Sequence, residues 1–187
     1  IFNMRLIKLK FWETKNFISY TLYPLSIITY LINNVKKFYI RKNFEIKTIC
    51  IGNIFIGGTG KTSLAIEINQ LLRKKFKIVF IKKNYENQLD EINLLNNKGN
   101  IISSTSRKNA LLTAINKKYQ LAILDDGLQQ KNIDYDLKIV CFNSEYALGN
   151  EYMLPAGPLR EDLNVLKNYD LVFLNGEKEN KKLLSKL

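Results

Sequence analysis

The chain has 187 residues and a net charge of +12, with 29 Lys and Arg against 17 Asp and Glu; this length holds one α/β domain of ordinary size with at most an appendage. So basic a balance points to a polyanionic partner such as nucleic acid, anionic lipid or a phosphorylated substrate. Histidine is absent, so no mechanism within this chain rests on an imidazole, and Cys50 and Cys141 sit singly in apolar, strand-like runs that give neither a disulfide framework nor a thiolate metal site.

Residues 1–47 differ from the rest. They carry nine basic residues against two acidic ones, and between the basic clusters lies the uncharged stretch 17–32, FISYTLYPLSIITYLI. Its 16 residues fall short of the roughly 20 that a spanning helix needs, and Pro24 interrupts them. No small-residue cleavage site follows, as a secretory signal would require. Pro24 can open a helix as its first residue, which would line Ser26, Thr29, Asn33 and Lys36 or Lys37 along a polar stripe and turn Leu25, Ile28, Ile32 and Val35 elsewhere. Apolar residues with tyrosines and flanking cations suit an amphipathic helix lying in a membrane interface; the same pattern serves a helix packed on the domain's own core.

The next segment, residues 49–66, reads as strand, phosphate-binding loop and helix. The apolar run at residues 49–51 ends in a turn holding Gly57, Gly58 and Gly60, and Lys61 and Thr62 open a run with helical periodicity at Leu64, Ala65, Ile68, Leu71 and Leu72. Glycines let backbone N–H groups turn inward onto phosphate oxygens at a helix N-terminus whose dipole favours an anion. Phe55, Ile56, Gly57, Gly58, Thr59, Gly60, Lys61 and Thr62 are the expected nucleotide-binding residues. Lys61 would neutralise the terminal phosphates and Thr62 would offer its hydroxyl to Mg²⁺. Phe55 stands where the G-x-x-x-x-G-K-[ST] pattern has glycine, and the GGTGKT form with a doubled glycine stays within the motif.

Residues 77–81 (KIVFI) predict a second buried strand, residues 82–100 a polar loop with a short helix, and residues 101–102 a brief strand. Ser103 to Ser106 offer caps for a helix through Ala110, Leu111, Ala114 and Ile115. Further strands are predicted at residues 121–126 (LAILDD), 137–142 (LKIVCF) and 170–174 (DLVFL), with a charged, helix-prone tail at 178–187 that contributes no evident core. Strands alternating with helices predict an α/β fold, a P-loop NTPase-like, mostly parallel sheet with helices on both faces.

The strand ending in Asp125, Asp126 and Gly127 supplies the other half of a nucleotide site. A carboxylate at the tip of a neighbouring strand holds Mg²⁺ opposite the loop threonine, and Asp125 is the candidate for that role; Asp126 would orient the metal shell or the attacking hydroxyl. A third block, residues 148–161 (LGNEYMLPAGPLRE), has Pro155, Gly157 and Pro158 stiffening a loop that carries Arg160 and Glu161 outward, suited to phosphate or sugar recognition. Aromatic-basic interleaving and a recognition-helix pattern are both missing, so no nucleic-acid partner is expected.

GNIFIGGTGKT, LDDGLQQ and GNEYMLPAGPLRE, with Phe11-Trp12 and PLSIITYLI before them, resemble in order and approximate spacing the tetraacyldisaccharide 4'-kinase family of lipid A biosynthesis. The resemblance implies a peripheral enzyme on the cytoplasmic face of the inner membrane that moves the γ-phosphate of ATP, with Mg²⁺, to the 4'-hydroxyl of a tetraacyl glucosamine disaccharide 1-phosphate. By the same resemblance, Asp90 in Leu89-Asp90-Glu91-Ile92 inherits the role of base for the sugar hydroxyl, and Glu91 and Arg160 are expected at the substrate. Three features depart from the family. Its SRGYG-like segment is Lys82-Lys83-Asn84-Tyr85-Glu86 here, the insert that follows is nearly gone, and its DDGLQH histidine is Gln130. The family also continues into a second domain bearing a histidine partner for the base. The expected organisation is therefore an N-terminal membrane-interface segment at 1–47 and a kinase domain at 48–187, as part of a longer kinase or as a decayed, non-catalytic remnant of one. GGTGKT alone would also suit a dimeric ATPase of regulatory or partitioning role, against which LPAGPLRE and the N-terminal stretch count.

Overall fold

The computed structural model describes residues 9–36, 38–84, 89–145, 148–177 and 181–185. Among them, six strands form one parallel sheet: β1 (Lys47–Gly52), β2 (Ile78–Lys83), β3 (Ile101–Ser104), β4 (Leu121–Asp125), β5 (Leu137–Asn143) and β6 (Leu171–Asn175), in the order β3-β2-β4-β1-β5-β6. Each central strand is an unbroken apolar run because both of its faces are covered. One face packs Cys50, Val79, Ile81, Ala122, Leu124, Val140 and Phe142 under helix α4 (Arg107–Asn116). The other packs Ile49, Ile51, Phe80, Ile123 and Cys141 under α2 (Lys61–Leu72) and α3 (Leu89–Asn96). The fold class and the helices on both faces match the sequence reading. The predicted tail helix exists as α5 (Lys181–Leu184), but Leu183 is fully buried in the core, contrary to the expectation that the tail adds none. Burying one leucine contributes about 2 kcal/mol.

Register places the chemistry. β1 and β4 lie side by side with Ile51 opposite Asp125, so the loop leaving β1 and the carboxylates ending β4 emerge together at the carboxyl edge of the sheet, where open α/β sheets bind ligands. α4 starts at an ordinary cap, the Ser106 hydroxyl accepting from the Asn109 N–H at 3.5 Å. α2 does not. Its first turn follows Gly60, at φ 79°, with no side-chain cap, leaving its N–H groups free to meet an anion.

The N-terminal helix α1 (Phe17–Lys36) begins two turns before Pro24, so the expectation that Pro24 opens it is corrected. The start is set by a reciprocal cap: the Ser19 N–H donates to Asn16 Oδ1 at 3.1 Å, and the Asn16 N–H donates to Ser19 Oγ at 2.8 Å. That cap and the docking of the helix offset the roughly 3 kcal/mol an interior proline costs. The docking is inverted relative to a normal surface helix. Its buried residues are Ser19 and Ser26; the Ser26 hydroxyl donates to the Met153 carbonyl at 2.7 Å and accepts from the Ala156 N–H at 3.2 Å, and Asn33 donates to the Arg160 carbonyl at 2.7 Å. Ile28, Leu31, Ile32 and Val35, on the opposite side, are more than half exposed. The chain just before the helix is fastened to the same proline-rich loop, Trp12 Nε1 donating to the Pro155 carbonyl at 3.1 Å.

Candidate active site

The glycine-rich loop after β1 is braced from behind. The Asn53 amide donates to the carbonyls of Phe55 at 2.6 Å and Gly57 at 3.3 Å, and Gln129 donates to the Asn53 carbonyl at 2.7 Å. Phe55, 3% exposed, is an anchor packed with Met153 and Leu159, and the Ile56 N–H donates to the Pro158 carbonyl at 3.0 Å. These contacts explain why the loop tolerates Phe55 in place of glycine: the residue points into the core of the third block. Gly60 is a different matter. Besides its positive φ, a Cβ there would lie 2.7 Å from the Asn175 amide nitrogen.

Thr62 and Asp125 meet directly, the hydroxyl donating to Asp125 Oδ2 at 3.3 Å. Asp126 takes a left-handed backbone, φ 58°, a conformation aspartate adopts more readily than most residues, and its N–H donates to the Ile51 carbonyl at 2.8 Å. Asp126 Oδ1 then lies 3.8 Å from Lys61 Nζ and 3.4 Å from Arg160 Nη1. The sheet edge thus gathers Lys61, Thr62, Asp125, Asp126 and Arg160. Glu161 is not carried outward as the sequence suggested: it is 3% exposed and pairs with Lys131 at 2.7 Å. Its neighbour's backbone explains the turn, since the Arg160 N–H donates to the Ile54 carbonyl at 2.7 Å and its carbonyl receives Asn33.

Asp90 and Glu91 occupy the exposed first turn of α3. Glu91 reaches the cluster through Lys82, whereas Asp90 makes no hydrogen bond or ion pair to the phosphate loop or to β4 among the described residues. Of the divergent segment, Lys82 and Lys83 are the last two residues of β2, and Tyr85 and Glu86 lie outside the described residues.

Two functional candidates escaped the sequence reading. The Lys82 ammonium, 2% exposed, sits 2.5 Å from Asp125 Oδ2 and pairs also with Glu91. Burial pushes its pKa down, but the attraction of Asp125 and then of Glu91 outweighs this and holds it above the usual lysine value. Arg107, also buried, donates to the Asp126 carbonyl at 2.7 Å and to Gln130 Oε1 at 3.2 Å, propping the Asp-Asp-Gly turn from beneath. The signal for Lys82 was a cation directly after the apolar run of β2, level with the other strand tips; Arg107 was hidden among the cap residues of α4. The thiols take no part, since burial pushes both Cys50 and Cys141 up to about 12.

Comparison with known proteins gives this site a lineage. The family model for tetraacyldisaccharide-1-P 4'-kinase matches residues 18–99 and 90–186. The tetraacyldisaccharide 4'-kinase of Pelagibacter ubique is 52% identical over 179 residues, covering 94% of this chain and 57% of the relative. That of Rickettsia bellii is 32% identical, covering 92% of this chain and 60% of the relative. Among solved structures, LpxK from Aquifex aeolicus, in a crystal form described as "apo" and in complex with ATP, superposes with a TM-score of 0.74 at 24% identity, over 88% of this chain and 62% of that one. The chain therefore spans about three-fifths of the length of these relatives, and on the family match and the 52% identity it belongs to the tetraacyldisaccharide 4'-kinase family.

Proposed function

We propose that this chain forms the nucleotide-binding part of an enzyme that transfers the γ-phosphate of ATP to the 4'-hydroxyl of a tetraacyl glucosamine disaccharide 1-phosphate. The observation that carries the reading is the convergence of Lys61, Thr62, Asp125 and Asp126 at one sheet edge, beside an uncapped helix N-terminus. Lys61 neutralises the terminal phosphates, Asp126 and Arg160 orient the charges at the cleft mouth, and the loop N–H groups cradle the remaining oxygens. Phosphoryl transfer asks for positioning and charge neutralisation more than covalent chemistry, which suits the lysine, threonine and carboxylates that this chain brings together. Asp90 is the proposed base for the sugar hydroxyl.

For Mg²⁺ the donors fit: the Thr62 hydroxyl and the Asp125 carboxylate are adjacent oxygen ligands, and Asp125 Oδ1 is buried without a partner. Among the described residues no group of three or more His, Cys, Asp or Glu side chains could hold a metal alone, so phosphate oxygens and water would complete the shell. When bound, the ion supplies positive charge to the phosphates.

The substrate's acyl chains call for a membrane surface, and α1 supplies the matching face. Its polar stripe is spent on the proline-rich loop, its apolar side is exposed, and Lys15 and Lys36 flank it. Among the described residues no helix is long and apolar enough to cross a membrane. We propose that α1 lies in the interface of an anionic bilayer as part of an N-terminal unit at 1–47, beside a kinase domain at 48–187, on the cytoplasmic side where ATP is available.

The test is phosphoryl transfer from ATP to a tetraacyl disaccharide 1-phosphate by the wild type and by Asp90→Asn. Turnover reduced at least ~100-fold by the substitution is the expected result. Equal, non-zero rates would remove Asp90 from the mechanism, and ATP binding without any transfer by the full-length protein would favour a non-catalytic remnant.

A further inference from the structure

Lys82 is the most deeply buried cation in contact with the site. Its ammonium bridges two elements, β4 through Asp125 and α3 through Glu91, and the carboxylate it pairs with in the interior is the one placed to meet a metal. Burying a lysine is unfavourable unless its partners are well placed, and here both are. Asp125 Oδ2 is shared between Lys82 and the Thr62 hydroxyl, so the carboxylate has one oxygen left, Oδ1, and much of its charge is already neutralised.

Resting on the nucleotide-site reading above, we infer that Lys82 is a resident cation of the divalent-metal subsite: a positioning residue that fixes Asp125 and keeps the subsite from loading a divalent ion before the nucleotide arrives. An ion at Asp125 Oδ1 would stand only a few ångströms from an ammonium, and like-charge repulsion at that range exceeds a factor of ten even at an effective dielectric constant of about 20. The phosphates of the nucleotide bring the negative charge that reverses this balance, so metal and nucleotide enter together. The clamp on Glu91 has a second effect, tying the first turn of α3, and with it Asp90, to the tip of β4. Remove the ammonium and Asp125 and Glu91 face each other across an emptied position, a pair of carboxylates that a divalent ion would take as ligands.

The experiment is a Mn²⁺ titration followed by the electron paramagnetic resonance of the free ion, on wild type, Lys82→Met and Lys82→Arg. In nucleotide-free protein, Lys82→Met is expected to bind Mn²⁺ about tenfold or more tighter than wild type, and Lys82→Arg, which keeps the charge, to stay weak. A merely structural role would not move this signal in that direction or be rescued by arginine. Unchanged Mn²⁺ affinity in a folded Lys82→Met protein overturns the inference. So does a wild type that binds Mn²⁺ as tightly without a non-hydrolysable ATP analogue as with it, a comparison that needs no variant. If the analogue itself fails to bind in a parallel titration, the nucleotide reading falls, while the nucleotide-free comparison of wild type and variants still judges Lys82.

Discussion

The carboxyl edge of the sheet and helix α1 invert the usual rule of burial in opposite ways. At the edge, Lys82, Asp125 and Arg107 are charged and buried; along α1, Ile28, Leu31, Ile32 and Val35 are apolar and exposed while Ser19 and Ser26 are inside. The first arrangement places charges where water is excluded and Coulomb interactions are strong. The second reserves the helix's polar groups for one loop and leaves apolar side chains exposed on the rest of its surface, the kind of patch that marks an interaction face. Neither is explained by stability alone, since an apolar core and an outward polar face would serve that better. Each departure lies where the proposed function puts a binding surface, and the two surfaces differ in the ligand they are proposed to meet.

The largest effect that would separate the regions is expected at Asp125. Asp125→Ala takes from the Lys82 ammonium its buried partner and leaves it only the half-exposed Glu91, and breaking a buried pair in this way costs about 3–5 kcal/mol; a thermal melt or urea titration reads it directly. A loss below about 1 kcal/mol would mean that water solvates Lys82 and that the edge is not a dry charge cluster. Next in size is the contrast within α1. The double substitution Ile28→Ser with Leu31→Ser should lower partition onto anionic vesicles at least tenfold, because it removes apolar area from the exposed side, while changing folding stability by no more than about 0.5 kcal/mol. Ser26→Ala should do the reverse, costing about 1 kcal/mol of stability through the lost bonds to Met153 and Ala156 and leaving vesicle binding unchanged. Were the two substitutions to exchange effects, the orientation of α1 would be wrong.

Much of this was legible because it is local. A buried parallel strand is a short apolar run, and Gly57, Gly60, Lys61 and Thr62 follow one such run in the only order a phosphate loop accepts. Asp125 was legible for the same reason, as the residue that ends the run of β4. What escaped depends on partners distant in sequence. Lys82 is one cation in a strongly basic chain until the sheet sets β2 beside β4. The inward face of α1 is decided by carbonyls at 153 and 160, more than a hundred residues away, so helical periodicity could group Ser26 with Asn33 without saying which way they point. Pro24 misled by its usual preference for a first turn, which the Asn16 and Ser19 cap overrode. Leu183 looked solvated because its neighbours are charged, and only the tertiary fold supplies its pocket.

The central claim is that the edge of β1 and β4 is a nucleotide site, and calorimetric titration of ATP with Mg²⁺ into wild type and Lys61→Ala tests it most directly. Lys61 Nζ lies 3.8 Å from Asp126 Oδ1 at a side chain only partly exposed, so its replacement removes one charge from the phosphate cradle without emptying the core. The account predicts saturable one-to-one binding by the wild type and affinity reduced at least ~10-fold in the variant, a cost in the range of a charge-assisted hydrogen bond. No binding by the folded wild type, or equal binding by both proteins, would contradict it.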